Sequence, residues 1–410
     1  MNNDIITQLS EENNYLKDEI VWFRNENYFL HNENNYIRNE LFKLKELQKN
    51  LHSNLQNNDL QNKNSSDLQS KNNQTTTSIN KYKLITYNPN KYSYSKEDTL
   101  NIISNIKNIN DIINLDGLWA NIKHNYILQK LYYLIEPLKL LQKMVGLDDI
   151  KKDIYKKIIY YVMNPYNNEY LHTIISGPPG VGKTEFAKIY ADIFVHLGIL
   201  KNDKFIQIKR SDLIGQFLGQ TTHKTKEILD SAIGGVLFLD EAYSLGNSNK
   251  NDSYSKESID IINQYLSEKK GEFMFIVAGY EDELDSCLFS YNQGLRRRFQ
   301  SHYKINGYNA SELKEIFIGM VGKTHSRMKF NINEISNEEL DNFFNNNLDK
   351  FKCYAGDIEL LFNEIKYTQS LRTFNNNIKN KNIILKDIEI SLENIQKNKK
   401  NNEPPFGMYL

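Results

Sequence analysis

Apolar residues recur every seven positions over residues 5–55. Leu9, Leu16, Phe23, Leu30, Ile37, Leu44 and Leu51 form an unbroken seam, and Ile6, Asn13, Ile20, Asn27, Asn34, Leu41, Gln48 and Leu55 form a mixed one. Glu12, Glu19, Glu26, Glu33 and Glu40 flank one side, and Lys17, Arg24, His31, Arg38 and Lys45 the other. In a parallel, in-register pair each acid faces a base five residues on. The pattern therefore predicts a parallel coiled coil, in which the asparagines fix register and favour two strands. The alternative is a single solvated helix, because the same charges also pair locally. Tyr15, Trp22, Phe29 and Tyr36 add an aromatic stripe outside the seam, either an exposed face or a surface for bundling or binding.

The periodicity then stops. Residues 56–80 are mostly Asn, Gln, Ser, Thr and Lys, too polar to bury a core, which predicts a flexible linker. Helical spacing returns over residues 81–143. Ser95 to Asp98 reads as a helix start, followed by Leu100, Ile103 and Ile106. A second apolar stretch runs from Ile122 to Ile135, and Pro137 is predicted to kink or end it. This segment carries no motif with evident chemistry.

From Val145 the pattern changes to short apolar runs separated by helical ones, an α/β unit. The apolar run before Ser176 enters Gly177-Pro178-Pro179-Gly180-Val181-Gly182-Lys183-Thr184, and Phe186, Ala187, Ile189, Ile193 and Phe194 follow at helical spacing. This is a buried strand, a loop and a helix N-terminus, and the loop fits G-x-x-x-x-G-K-[ST]. Glycines let backbone N–H groups close around phosphate oxygens, and the helix start adds partial positive charge. Lys183 is expected to reach the β- and γ-phosphates of ATP, and the Thr184 hydroxyl to bind Mg²⁺. A Gly-rich turn matching by chance would not need the strand before it and the helix after it.

A short strand is predicted at Phe205–Ile208, and a buried one from Gly234 to Leu239 that ends in Asp240 and Glu241, the Walker B pattern. Asp240 can hold Mg²⁺, and Glu241 can polarise an attacking water. The presence of both acids points to hydrolysis beyond binding. After a loop over residues 246–252 come a helix through Ile259, Ile262 and Leu266, and a strand over Phe273–Val277 leading to Ala278-Gly279-Tyr280. The run Arg296-Arg297-Arg298 is either a solvated cluster or a contact to the phosphate of a neighbouring copy. From Asn309 the spacing is helical through Leu313, Phe317, Leu340, Phe344, Ile358, Leu361, Ile365, Leu385 and Ile388, before an extended tail over residues 396–410.

Charge and cysteines narrow the class. Lys+Arg and Asp+Glu number 51 each over 410 residues, so no global charge draws the chain to nucleic acid or to a membrane. Cys287 and Cys353 lack metal-ligand spacing and read as reduced thiols of a cytosol-like compartment. No apolar run approaches a membrane span, and the N-terminal residues lack the basic start of a signal peptide.

Taken together, residues 145–395 resemble an AAA+ ATPase, and within that group the CfxQ/CbbX family of red-type rubisco activases and sporulation-type relatives. The matching segments are Gly177–Thr184, Asp212-Leu-Ile-Gly-Gln-Phe-Leu-Gly-Gln-Thr221, Gly235-Val-Leu-Phe-Leu-Asp-Glu-Ala-Tyr243, Ala278-Gly-Tyr280 and Gly294-Leu-Arg-Arg-Arg-Phe299. The composition is similar to that of copies encoded by giant DNA viruses, which would place the chain in host cytoplasm or virion. The resemblance implies a P-loop AAA+ three-layer αβα core with a parallel sheet over residues 144–307 and a C-terminal helical lid over 308–395, behind the N-terminal parallel coiled coil. It implies a hexameric ring with ATP between subunits, Arg298 or else Arg296 reaching the next subunit's γ-phosphate, and Val145-Gly146-Leu147 on the adenine side. Phe217-Leu218-Gly219 matches the pore loop that grips a polypeptide in such rings. Two departures stand out: Tyr280 replaces the polar sensor of many AAA+ proteins, and the lid-helix start Ala355-Gly356-Asp357-Ile358 lacks the second-sensor arginine of many relatives.

The expected activity is ATP-driven remodelling of a protein client, whose identity the sequence does not name. The alternatives are a nucleic-acid motor, disfavoured by neutral charge and the lack of a basic stripe, and a coiled-coil scaffold with a slow ATP switch. The terminal Met408-Tyr409-Leu410 also fits the hydrophobic–Tyr–any tail by which proteasomal ATPases dock on a protease.

Overall fold

The computed structural model describes residues 96–118, 122, 125–164, 169–215, 219–246, 252–323, 330–375 and 380–401. By internal contacts the chain divides into Met1–Ser93 and Tyr94–Leu410, and all described residues belong to the second unit. The expected coiled coil, the linker, residues 81–95, Phe217, Leu218 and the tail from residue 402 lie outside the described residues.

Among the described residues five helices come first: α1 (Lys96–Asn105), α2 (Ile109–Ile113), α3 (Tyr126–Tyr133), α4 (Ile135–Lys143) and α5 (Asp148–Met163). Pro137 does not interrupt a helix. The break falls at Leu134, and Pro137 sits in the first turn of α4, where its missing N–H would have no partner in any case. Ile112, Leu128, Leu131, Leu138, Ile154 and Ile158 from these helices are buried in the same core as the α/β unit.

That unit alternates β1 (His172–Ser176), α6 (Lys183–His196), β2 (Phe205–Ile208), α7 (Arg210–Leu213), α8 (Gln220–Ser231), β3 (Val236–Leu239), α9 (Ser253–Glu268), β4 (Met274–Gly279), α10 (Gln293–Arg296) and β5 (Phe299–Lys304). The strands form one parallel sheet in the order β2-β3-β4-β1-β5. The three central strands are buried at every residue, as a sheet covered on both faces requires. Because side chains alternate across a strand, the sheet feeds two apolar layers. Ile175, Val236, Phe238, Met274 and Ile276 pack with Phe186, Ile189, Tyr190 and Ile193 of α6. Ile174, Leu237, Leu239, Phe275 and Val277 pack with Leu229 of α8 and Ile259, Ile262 and Leu266 of α9. The result is the three-layer αβα arrangement with a parallel sheet that the motifs imply.

Strand β5 had no clear trace in the apolar pattern. It is an edge strand with only Phe299 and Tyr303 buried, so it alternates too briefly to stand out. Beyond it lie α11 (Ala310–Gly322), α12 (Asn337–Asn346), α13 (Tyr354–Asn375) and α14 (Leu385–Asn401). Asn309 caps α11 and Ser336 caps α12, each in a reciprocal box with a glutamate three residues on. Helix α14 runs through Asn401, past the expected end of the lid at residue 395. The extra turn is polar, and it extends a helix that carries the Glu393–Lys397 pair.

Candidate functional site

The site is built where β1 and β3 end. Ser176 closes β1, and the chain turns through Gly177, Pro178, Pro179, Gly180, Val181 and Gly182 into α6. Gly180 (φ +73°) and Gly182 (φ +86°) adopt left-handed backbone that residues with a β-carbon rarely enter. Space forbids a side chain as well. A β-carbon on Gly177 would collide with the Ile305 carbonyl, and one on Gly180 with the Cys353 carbonyl. The loop is thus pressed from behind by the chain leaving β5 and by the start of the lid helix.

Lys183 opens α6 and folds back over this loop. Its Nζ donates to the carbonyl oxygens of Gly177 and Pro178, 2.8 Å from each. Burial pulls its pKa below the ordinary lysine range, and the charges of Asp240 and Glu241 pull the other way. The Thr184 hydroxyl donates to Asp240 Oδ2 at 3.2 Å. Asp240 follows β3 directly, and its Oδ1 accepts the Glu241 N–H at 3.0 Å. Glu241 is exposed and holds a left-handed backbone, φ +49°, unusual for a residue with a long side chain.

These groups line one open cavity of about 460 Å³, together with Pro179, Gly180, Gly182, Glu185, Lys188, Tyr243, Gly279 and Tyr280. The Tyr243 and Tyr280 rings lie 5.7 Å apart, and Lys183 Nζ stands 5.6 Å from the Tyr280 ring centre. Burial and the neighbouring Glu241 charge push the Tyr243 phenol up to about 12, so it stays protonated and able to donate. The donor set fits the groups expected there. Backbone N–H groups at a helix start and two lysines suit phosphates. One hydroxyl beside one carboxylate suits Mg²⁺, which takes few protein ligands and completes its shell with phosphates and water.

Not every expected residue is at this cavity. Val145, Gly146 and Leu147 lie outside its walls, though the adjoining Met144 methyl approaches Gly182. Arg296 is exposed and pairs with Asp285, its guanidinium 5.3 Å from the Phe289 ring centre. Arg298 is half-buried and held by its own chain, donating to Ser267 Oγ at 2.7 Å and to the Gly294 carbonyl. Gly219 is left-handed at the start of α8. Lys188 and the lid contact at Cys353 belong to no local motif and carry no sequence signal, and Tyr243 ends the segment Gly235–Tyr243 without an expected role at the cavity.

The model of the ATPase family associated with various cellular activities (AAA) matches residues 173–306. A cfxQ-like protein of Acanthamoeba polyphaga mimivirus is 40% identical over 290 residues, covering 69% of this chain and 70% of that protein. The chain belongs to the CfxQ-like AAA ATPases. A CfxQ homolog of the alga Galdieria sulphuraria is 34% identical over 230 residues, 54% of this chain and 74% of that one. Stage V sporulation protein K of Bacillus subtilis is 33% identical over 191 residues, 45% of this chain and 59% of its own length. The crystal structure of the FIGL-1 AAA domain with ADP superposes with a TM-score of 0.44 at 17% identity, over 63% of this chain and 89% of that one. None of the described helices of this CfxQ-like chain is long and apolar enough to cross a membrane.

Proposed function

We propose that this CfxQ-like chain hydrolyses ATP in the cavity around Lys183 and uses the cycle to remodel a protein client within a ring of its own copies. One observation carries the reading: Lys183, Thr184, Asp240 and Glu241, from two strand ends distant in sequence, converge on a single cavity. Lys183 and the loop N–H groups bind and orient the β- and γ-phosphates. Thr184 and Asp240 hold Mg²⁺, which neutralises charge on the phosphate oxygens when bound. Glu241, exposed at the cavity, orients a water and takes up its proton at a carboxylate oxygen. The cavity's own cations are Lys183 and Lys188, so an arginine from an adjacent copy, Arg298 or Arg296, completes the charge balance. Phe217, Leu218 and Gly219 serve as the loop that engages the client, and residues 1–55 self-associate as a coiled coil. The sequence is similar to relatives whose names refer to CfxQ and sporulation, and neither name fixes a client for this chain.

Phosphate release is the test. Wild type should turn ATP over, and Lys183→Ala should abolish nucleotide binding. Glu241→Gln should bind ATP but release phosphate ~10²–10³-fold more slowly. Equal turnover by all three would overturn the reading. A scaffold with a slow ATP switch is the second reading, favoured by the lid-helix start Tyr354-Ala355-Gly356-Asp357, which carries no cation. A pull-down with Glu241→Gln held in ATP separates the two, since a remodelling motor should trap its client only in that state.

A further inference from the structure

The phosphate loop is held from outside the α/β unit by backbone atoms of the lid. The Ala355 N–H donates to the Gly180 carbonyl at 3.1 Å. Cys353 and Gly356 close around Gly180 so tightly that no β-carbon fits there. Tyr354 between them holds φ +45°, a left-handed conformation that aromatic residues rarely adopt. Its ring lies where a β-carbon on Gly307 would be, in the linker from β5 to the lid, and edge-on to Tyr308 at 6.2 Å. Tyr308 in turn donates to the Val181 carbonyl at 2.9 Å. Asp357 is buried and caps the turn by accepting the Cys353 N–H at 2.7 Å. Two consecutive carbonyls of the loop, Gly180 and Val181, are therefore bonded to lid-side groups, and neither bond involves a charge.

We infer that Tyr354, Ala355 and Tyr308 form a clasp that positions the phosphate loop and ties lid position to the loop's conformation, so that ADP and ATP order the lid start alike. This rests on the reading that the loop holds nucleotide phosphate. The first turn of α13 offers the loop one backbone N–H, from Ala355, and sets the Tyr354 ring against the linker at Gly307 and Tyr308, with no cation to distinguish a γ-phosphate. Whatever sets the loop, a β-phosphate included, sets the lid. Ala355 is the second residue of α13, near the position where proline is tolerated. Ala355→Pro removes the donor and also presses Tyr354 out of its left-handed backbone, so it breaks two parts of the clasp at once.

The experiment uses the full chain, with ADP on wild type and ATP on Glu241→Gln so that it persists. Binding of a fluorescent ADP is measured directly, and hydrogen exchange is followed over residues 354–358. Both nucleotides should slow exchange there to the same extent, within about twofold. Ala355→Pro should weaken ADP about tenfold, and Ala355→Ser, which keeps the N–H, should match wild type. Tyr354→Asn tolerates the left-handed backbone but loses the ring, and should weaken ADP about threefold, which keeps the test valid if the proline variant fails to fold. Protection by ATP alone, or wild-type binding by Ala355→Pro and Tyr354→Asn, would overturn the clasp with the site intact. If wild type binds neither nucleotide, the site reading itself fails and the clasp with it.

Discussion

The Thr184 hydroxyl stands 3.2 Å from Asp240 Oδ2, which joins the first turn of α6 to the end of β3 across the sheet. On the proposed reading, these two oxygens beside the loop share one small cation. Asp240→Asn keeps the shape and an acceptor for the Glu241 N–H, reverses the bond to Thr184 so that the amide donates, and removes the charge. The expected outcome is a loss of Mg²⁺-stimulated phosphate release of at least about tenfold, with Mg²⁺-free ADP binding within about threefold of wild type. Titrating Mg²⁺ against phosphate release checks it, and an unchanged Mg²⁺ midpoint would remove Asp240 from the metal site.

This pair was legible in the sequence, and the reason is local. A phosphate loop needs glycines at fixed spacing between a strand and a helix, so Gly177, Gly182, Lys183 and Thr184 announce it within one short stretch. Asp240 and Glu241 follow an apolar run that the core requires. The central strands β3 and β4 were legible because their residues are apolar throughout, while β1 is apolar only at Ile174 and Ile175 and was marked by the loop that follows it; the parallel sheet itself came from the resemblance. What could not be read involves distant partners or backbone atoms. Gly180 meets the Cys353 carbonyl and the Ala355 N–H, groups that every residue but proline carries, so no residue type marks the contact. Lys188 looks like an ordinary helix-surface residue until the fold places it beside the loop.

Glu241 holds φ +49° beside its functional neighbour Asp240. Backbone strain at such a position persists only when the surroundings enforce it, and the Glu241 N–H is held by Asp240 Oδ1 at 3.0 Å. Glu241→Gly removes the strain and the carboxylate together. The folded state should gain ~0.5–1 kcal/mol in denaturant unfolding while phosphate release falls ~10²–10³-fold. A variant that loses both stability and activity would place Glu241 in a structural role.

His172 lies fully buried at the start of β1, its Nδ1 accepting the Phe275 N–H at 3.1 Å among the rings of Tyr170, Phe273 and Phe299. Burial, aided by the Arg298 charge, pushes its pKa down to about 3. The unfolded chain therefore takes up a proton near pH 6.5 that the folded chain refuses. Stability is complete above pH 6.5 and falls as the pH drops toward 3, by ~2–3 kcal/mol between pH 7 and 4.5 from this group alone. His172→Asn keeps an acceptor for Phe275 but cannot titrate. Its unfolding free energy should lie below wild type at pH 8, for lost ring packing, and decline less steeply in acid. Parallel pH profiles for the two proteins would show that His172 does not drive the acid loss.

The two candidate arginines differ in what holds them, and that difference separates a structural from a shared role. Arg298 is engaged by Ser267 Oγ and the Gly294 carbonyl of its own chain, so Arg298→Ala leaves a partly buried carbonyl without that donor and should cost ~1 kcal/mol of stability. Arg296 is exposed, paired with Asp285 and resting against Phe289, and its removal should change stability by less than ~1 kcal/mol. If Arg296 serves the phosphate of an adjacent copy, Arg296→Ala should depress phosphate release ~10³-fold or more without weakening ADP binding. Mixing decides whether the service is between copies. A subunit with Arg296→Ala keeps its own Glu241, and a Glu241→Gln subunit keeps its own Arg296. A site formed by the first with an arginine from the second is then complete. Activity in the mixture well above either variant alone is the expected result. A mixture no better than the sum of its parts would confine Arg296 to its own chain and leave Arg298, despite its internal bonds, as the arginine to test by the same pairing.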